Sequence, residues 1–170
     1  MEKLAGLMDL FLQPGEFIVA DASYKLRTLL GSCVSITLWH PATRTGGMSH
    51  FLLPSRGSAR RPRRLDARYG DEAMELMLDE FRQLGIDPLQ CQGKVFGGGN
   101  MFPGVDHPGG LVGQRNGEAA ISLLGEHGIA ILSESLFGVG HRQIIFDVSN
   151  GDVWSSQIAP TAAPSEGDLL

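Results

Sequence analysis

"LLGSCVSITLWHPATRTGGMSHFLLP", Leu29 to Pro54, contains one of the chain's two cysteines, Cys33, and one of its five histidines, His50. From Cys33 to Trp39 the residues alternate. Val34, Ile36 and Leu38 fall on one face, and Cys33, Ser35, Thr37 and Trp39 on the other. A period of two with rich β-branching predicts a strand. Pro41 to Thr45 supplies a turn and residues 46–53 a second strand, so the stretch predicts a hairpin. If Trp39 pairs with Gly46, Ser35 faces His50 and Cys33 lies diagonal to His50 on the same face, a separation of roughly 7–8 Å. A slip of one residue would put the two on opposite faces.

The register therefore bears on chemistry as well as fold. A free thiol titrates near about pH 8.5, and an adjacent imidazolium would stabilise its thiolate. The same histidine could protonate a departing amine and later deprotonate water. The small Gly31 and Ser32 before Cys33 would let a substrate backbone approach, and their peptide N–H groups could hold an oxyanion. Spacing alone leaves a second reading open: a small buried thiol and an ordinary hydrogen-bonded histidine. A zinc site fits less well, because no second cysteine or close histidine pair accompanies Cys33.

Outward from the hairpin, residues 16–20 and 26–30 read as short strands. Met74, Met77, Leu78, Phe81 and Leu84 recur at helical spacing, which predicts a helix over about 66–84 with Gly85 beyond its end. Residues 93–97 return to strand and 97–110 form a glycine- and proline-rich loop. A second helix is expected over 114–127. Strands follow at 129–134, 141–148 and 152–157, the last two joined by an Asn150-Gly151 turn. This order suggests an α/β sandwich with two main helices and mostly antiparallel sheet.

The whole divides into an N-terminal segment (1–13), one domain (14–157) and a C-terminal tail (158–170). The tail has the small, polar, proline-containing composition of a disordered segment.

At 170 residues the chain can bury a full core, and 42% apolar with 19% charged residues suits a globular protein. Two cysteines build no disulfide framework, which fits a reducing cytoplasm. The first residues carry no leader pattern, and no run approaches the roughly 20 apolar residues of a membrane span. A net charge of −5 argues against general nucleic-acid binding. Yet six of the 14 basic residues, Arg56, Arg60, Arg61, Arg63, Arg64 and Arg68, fall in one loop. It is either a solvated loop or a contact for an acidic partner. Gly97-Gly98-Gly99-Asn100 lacks the lysine and spacing of a phosphate loop and reads as a turn packed beside Cys33. His107 is expected on a surface loop, and Cys91 is expected to be inert.

Several blocks, in order, resemble the chemoreceptor glutamine deamidase (CheD) family. They are Leu30-Gly31-Ser32-Cys33-Val34, Gly46-Gly47-Met48 with His50 and Leu53-Pro54, "RYGDEAMELMLDEFRQLG" (68–85), "GKVFGGGNMF" (93–102), "VGQRN" (112–116) and "GVGHRQIIFDVSNGDVW" (138–154). The resemblance covers roughly residues 14 to 157. It implies a three-layer α/β/β fold and conversion of receptor glutamines to glutamates without a cofactor or metal.

It further implies Cys33 as nucleophile, His50 as acid–base, and Thr28 as the residue that orients the imidazole. The implied partners are methyl-accepting chemotaxis receptors and a phosphatase of the CheC type. Arg60, Arg61, Arg63 and Arg64 would then steer a glutamate-rich receptor by charge. The alternative from the same resemblance is a receptor- or CheC-binding regulatory module with little catalysis. A cysteine peptidase fits less well in so short a chain.

Overall fold

A computed structural model describes residues 6–57, 64–107 and 111–159. Nine strands and two helices follow in chain order. They are β1 (Met8–Phe11), β2 (Phe17–Ala20), β3 (Tyr24–Leu30), β4 (Val34–His40), β5 (Thr45–Ser49), α1 (Gly70–Gln83), β6 (Gln92–Gly97), α2 (Val112–Glu126), β7 (Ala130–Leu136), β8 (His141–Asp147) and β9 (Val153–Ile158). A single turn of 3-10 helix at Pro88–Gln90, capped by the Asp87 side chain, leads into β6.

Alternation along β4 fixes the layering. Val34, Ile36 and Leu38 enter one core with Met74, Met77, Leu78 and Phe81 of α1 and Ala120, Leu123 and Leu124 of α2. Cys33 and Trp39 face a second core built from Leu26, Leu30, Met48, Phe96, Ile144 and Phe146. The five-stranded sheet β2-β5-β4-β6-β7 is thus the middle layer. The helices cover one face and the four-stranded sheet β1-β3-β8-β9 covers the other. This is the three-layer α/β/β arrangement, and most strand pairs are antiparallel. The pairs β1–β3 and β6–β7 are parallel.

Several details differ from the expectation, among them the start of α1 at Gly70 rather than near Asp66. The segment before residue 14 supplies a strand: β1 pairs with β3, and Leu12 is fully buried. Strand β5 stops at Ser49 rather than continuing to 53. There the Ser49 hydroxyl accepts from the Ile36 N–H (3.2 Å) and lies 3.4 Å from the Ile36 carbonyl. A side chain thus takes the place of the backbone ladder between β4 and β5. The expected tail falls almost wholly on residues 160–170, which lie outside the described residues, as do Arg60, Arg61 and Arg63.

Candidate active site

The β4–β5 hairpin adopts the register that brings Cys33 and His50 into phase. Trp39 pairs with Gly46 and Thr37 with Met48. Beyond the Ser49 opening, Val34 and Phe51 exchange both backbone hydrogen bonds, at 3.1 and 3.0 Å. The count is unchanged across the opening, so no bulge flips the alternation. Both side chains lie on the face of the middle sheet turned toward the outer sheet. At the opening the His50 backbone takes new partners: its N–H donates to Glu16 O (3.0 Å) and its carbonyl accepts from Gly15 N (2.8 Å). A strand end leaving its neighbour, held from the other side by a loop, carries the histidine into the inter-sheet space.

Thr28 meets it from the outer sheet. In β3 the inward positions are Leu26, Thr28 and Leu30, all buried, so the threonine is the one polar residue in an apolar stripe. Its hydroxyl is 2.7 Å from the Leu12 carbonyl and 2.7 Å from His50 Nδ1. A hydroxyl has one proton and a carbonyl can only accept. The Thr28 proton therefore goes to Leu12, and Thr28 Oγ1 accepts from His50 Nδ1–H. This fixes the tautomer and leaves Nε2 with its lone pair.

Burial governs the charge of the pair. His50 is 2% exposed, and desolvation pushes its pKa down to about 4. The half-buried Cys33 thiol is pushed up for the same reason. Both groups are therefore neutral at rest near pH 7. Burial thus favours the neutral form of each group in the free protein, opposite to the imidazolium–thiolate pair expected from the residue types. Nε2 is instead a free base throughout the neutral range.

The loop that carries Cys33 is pinned through its carbonyls. Gly31 O accepts from Gly99 N (2.9 Å), Cys33 O from Gly98 N (2.9 Å), and Ser32 O from the Asn116 side-chain amide (3.0 Å). The backbone N–H groups of Ser32 and Cys33 have no acceptor among the described residues. A loop with every carbonyl turned into the protein presents its N–H groups the other way, which is the arrangement an oxyanion requires.

The glycine run supplies this support. Gly97 sits at φ +114, a conformation L side chains rarely adopt, and a Cβ there would overlap the Cys33 carbonyl oxygen. Buried Arg142 braces the far side of the run, donating to Gly97 O (2.6 Å) and Phe137 O (2.7 Å).

Asn116 and Arg142 escaped the sequence reading. The available signal was a polar residue on the buried stripe of a helix or strand, the same signal that marks Thr28. His107, expected at the surface, is half-buried, and it lines a cavity of about 170 Å³ with Ser32, Met101 and Leu111. Its Nε2 is buried without a partner. Cys91 is buried and its thiol is pushed up to about 11 by desolvation, so it is a poor nucleophile. Among the described residues no group of three or more His, Cys, Asp or Glu is placed to hold a metal. No described helix is long and apolar enough to cross a membrane. Arg64 is exposed, and with Arg56 it borders a hollow beside Gly15 and Glu16, the residues that hold the His50 backbone.

Residues 52–157 match the family described as CheD chemotactic sensory transduction. That span begins just after His50, so Thr28, Cys33 and His50 lie before it. Full-length relatives reach further. A probable chemoreceptor glutamine deamidase CheD 2 of Albidiferax ferrireducens is 69% identical over 166 residues, 96% of each chain. A probable chemoreceptor glutamine deamidase CheD of Pseudomonas savastanoi pv. phaseolicola is 45% identical over 156 residues, 91% of this chain and 87% of the relative. One from Leptospira interrogans is 37% identical over 157 residues, 87% and 92% of the two chains. With more than half of the chain matched by the family and nearly all of it by such relatives, the chain belongs to the CheD family.

Proposed function

We propose that this protein is a chemoreceptor glutamine deamidase in which Cys33 is the nucleophile, His50 the acid–base and Thr28 its orienting partner. One observation carries the reading. The Leu12–Thr28–His50 hydrogen-bond chain leaves Nε2 unprotonated on the face that Cys33 shares.

The reaction runs from neutral groups. As Cys33 Sγ attacks the carbon of the glutamine carboxamide, its proton passes to His50 Nε2. Positive charge then forming on the ring is stabilised through Nδ1–H and the oriented Thr28 oxygen. The carboxamide oxygen becomes an oxyanion, held by the N–H groups of Ser32 and Cys33. The Gly31 N–H likewise has no acceptor among the described residues, so the expected Gly31 and Ser32 donors stay in the proposal, with that of Cys33 beside them. Collapse of the intermediate breaks the C–N bond while His50 returns its proton to the nitrogen, releasing ammonia and leaving a thioester. Water then gives a proton to His50 and attacks the thioester carbon, and the thiolate leaves and is reprotonated. Glutamine and water become glutamate and ammonia, and no cofactor takes part.

The substrates in this proposal are the cytoplasmic regions of methyl-accepting chemotaxis receptors, which places the protein in the cytoplasm. A CheC-type phosphatase is its proposed regulatory partner; both follow from the family resemblance. The test is incubation with a receptor cytoplasmic fragment, following ammonia release and the amide-to-acid mass change peptide by peptide. Wild type should deamidate and Cys33→Ala should not. Receptor binding without any conversion by wild type would refute the enzyme and leave the regulatory module.

A further inference from the structure

Asn116 lies in the second turn of α2 on its buried stripe, beside Gly113, Gly117 and Ala120. Its side chain is wholly buried where an apolar residue would cost nothing in solvation. Both protons of Nδ2 are used. One goes to Ser32 O (3.0 Å), immediately before Cys33, and the other to Leu52 O (2.8 Å), two residues after His50. By the register of the Val34–Phe51 bridge, Leu52 stands opposite Cys33. One amide therefore ties the backbone of the thiol's strand to that of the histidine's strand, just beyond the gap opened by Ser49.

The orientation of this amide is fixed. Turned over, Oδ1 would face two carbonyl oxygens and both contacts would be repulsive. As placed, Oδ1 is buried with no partner. An unpaired buried acceptor costs free energy, so the residue is poorly explained as a contribution to stability alone.

We propose that Asn116 is a positioning residue. By holding Ser32 O and Leu52 O to one amide it sets the attack geometry of Cys33 relative to His50, and it keeps the Ser32 and Cys33 N–H groups facing the substrate. The kinetic part of this claim rests on the deamidase reading above; the structural part does not.

The experiment uses the full chain carrying Asn116→Ala, and Asn116→Ser, which keeps one donor. With receptor fragment as substrate, kcat should fall on the order of 100-fold in Asn116→Ala while KM stays close to wild type. Iodoacetamide alkylation of Cys33, resolved by peptide mass from Cys91, should proceed at or above the wild-type rate, since a loosened loop exposes the thiol. Amide hydrogen exchange at Gly98 and Gly99, which donate to Cys33 O and Gly31 O, should accelerate while exchange within α1 does not.

A wild-type kcat in Asn116→Ala would overturn the proposal. So would loss of activity accompanied by alkylation of Cys91 and faster exchange in α1, because that is general unfolding. Should the alanine variant not fold, Asn116→Ser must show the same kcat loss in smaller degree, and its absence is refutation. If wild type itself deamidates nothing, the functional reading fails while exchange at Gly98 and Gly99 still decides whether Asn116 holds the loop.

Discussion

Acid should weaken this fold through His50 in a way that can be isolated from every other group. The folded pKa is about 4, against 6.5 for the ordinary side chain, because the ring is buried. Above pH 6.5 both folded and unfolded chains hold a neutral ring, and His50 makes stability independent of pH. As pH falls below 6.5 the unfolded chain takes up a proton that the folded protein refuses until about pH 4. Stability is therefore lost across that window, by about 2 kcal/mol at pH 5 and about 3 kcal/mol near pH 4.

The assay is urea denaturation of wild type and His50→Gln near pH 7.5 and pH 5. Glutamine keeps an N–H for Thr28 but carries no titrating group. Its stability at neutral pH will differ from wild type, and only the change with pH is compared. Carboxylates such as Asp9 and Glu72, whose pKa values are held down by Arg27 and Arg56 hydrogen bonds, lose stability at lower pH in both proteins and cancel. Wild type should lose about 2 kcal/mol more than the variant between the two conditions. Equal losses, or an imidazole resonance titrating near 6.5, would show that the ring is not desolvated as described and would remove the basis for a neutral resting pair.

Three further outcomes follow from the same geometry. Gly97→Ala puts a methyl into the Cys33 carbonyl at φ +114, with Val34 Cα only 3.1 Å away. It should cost roughly 3 kcal/mol in denaturant titration and displace the thiol enough to cut deamidation heavily; a variant with wild-type stability would refute the contact. Thr28→Val keeps the side-chain shape but leaves Leu12 O without its donor and the imidazole tautomer unfixed. It should lose about 1–2 kcal/mol in stability and at least about tenfold in kcat, measured side by side. Exchanging Arg60, Arg61, Arg63 and Arg64 for glutamine should lower kcat/KM toward receptor fragment at low salt, with the gap closing as salt rises; unchanged kcat/KM at low salt would end the steering proposal.

Local pattern carried most of the fold. The period-two run at 33–39 and the methionine–phenylalanine stripe of α1 are decided by which face meets apolar neighbours, and that is written in adjacent residues. The hairpin register was legible only as a condition: a slip of one residue would have put Cys33 and His50 on opposite faces, and the spacing alone did not choose. What stayed hidden depends on distant segments. Nothing near residue 10 announces that β1 will pair with β3, or that Leu12 will accept the Thr28 proton. Ser49 reads as a strand residue, yet its hydroxyl replaces a ladder bond because the two strands part there. Asn116 and Arg142 stand as polar residues on buried stripes, but their acceptors, all backbone carbonyls, cannot be read from that position. Backbone acceptors leave no trace in side-chain identity.

The charge state of the pair was the largest gap, and it changes how the chemistry must be read. Residue types alone suggest an imidazolium holding a thiolate, because in water that is how a histidine activates a cysteine. Packing Thr28, Cys33 and His50 between two sheets reverses the preference, since desolvation lowers the imidazole pKa and raises the thiol pKa. In the proposed mechanism, activation then accompanies attack rather than preceding substrate. That places the burden on geometry: Nε2 must already be the basic nitrogen, the loop N–H groups must already face the forming oxyanion, and the thiol must already be held in reach. The chain meets the first two demands with the Leu12–Thr28–His50 relay and with a loop whose three carbonyls are all tied down. A site that relied on a preformed thiolate would also react with small electrophiles in the absence of substrate. One that ionises only during attack is selective by construction, so iodoacetamide should alkylate Cys33 slowly at neutral pH and with a steep rise toward alkaline pH. A fast, pH-independent alkylation between about pH 6 and 8 would mean a standing thiolate and would refute the neutral pair.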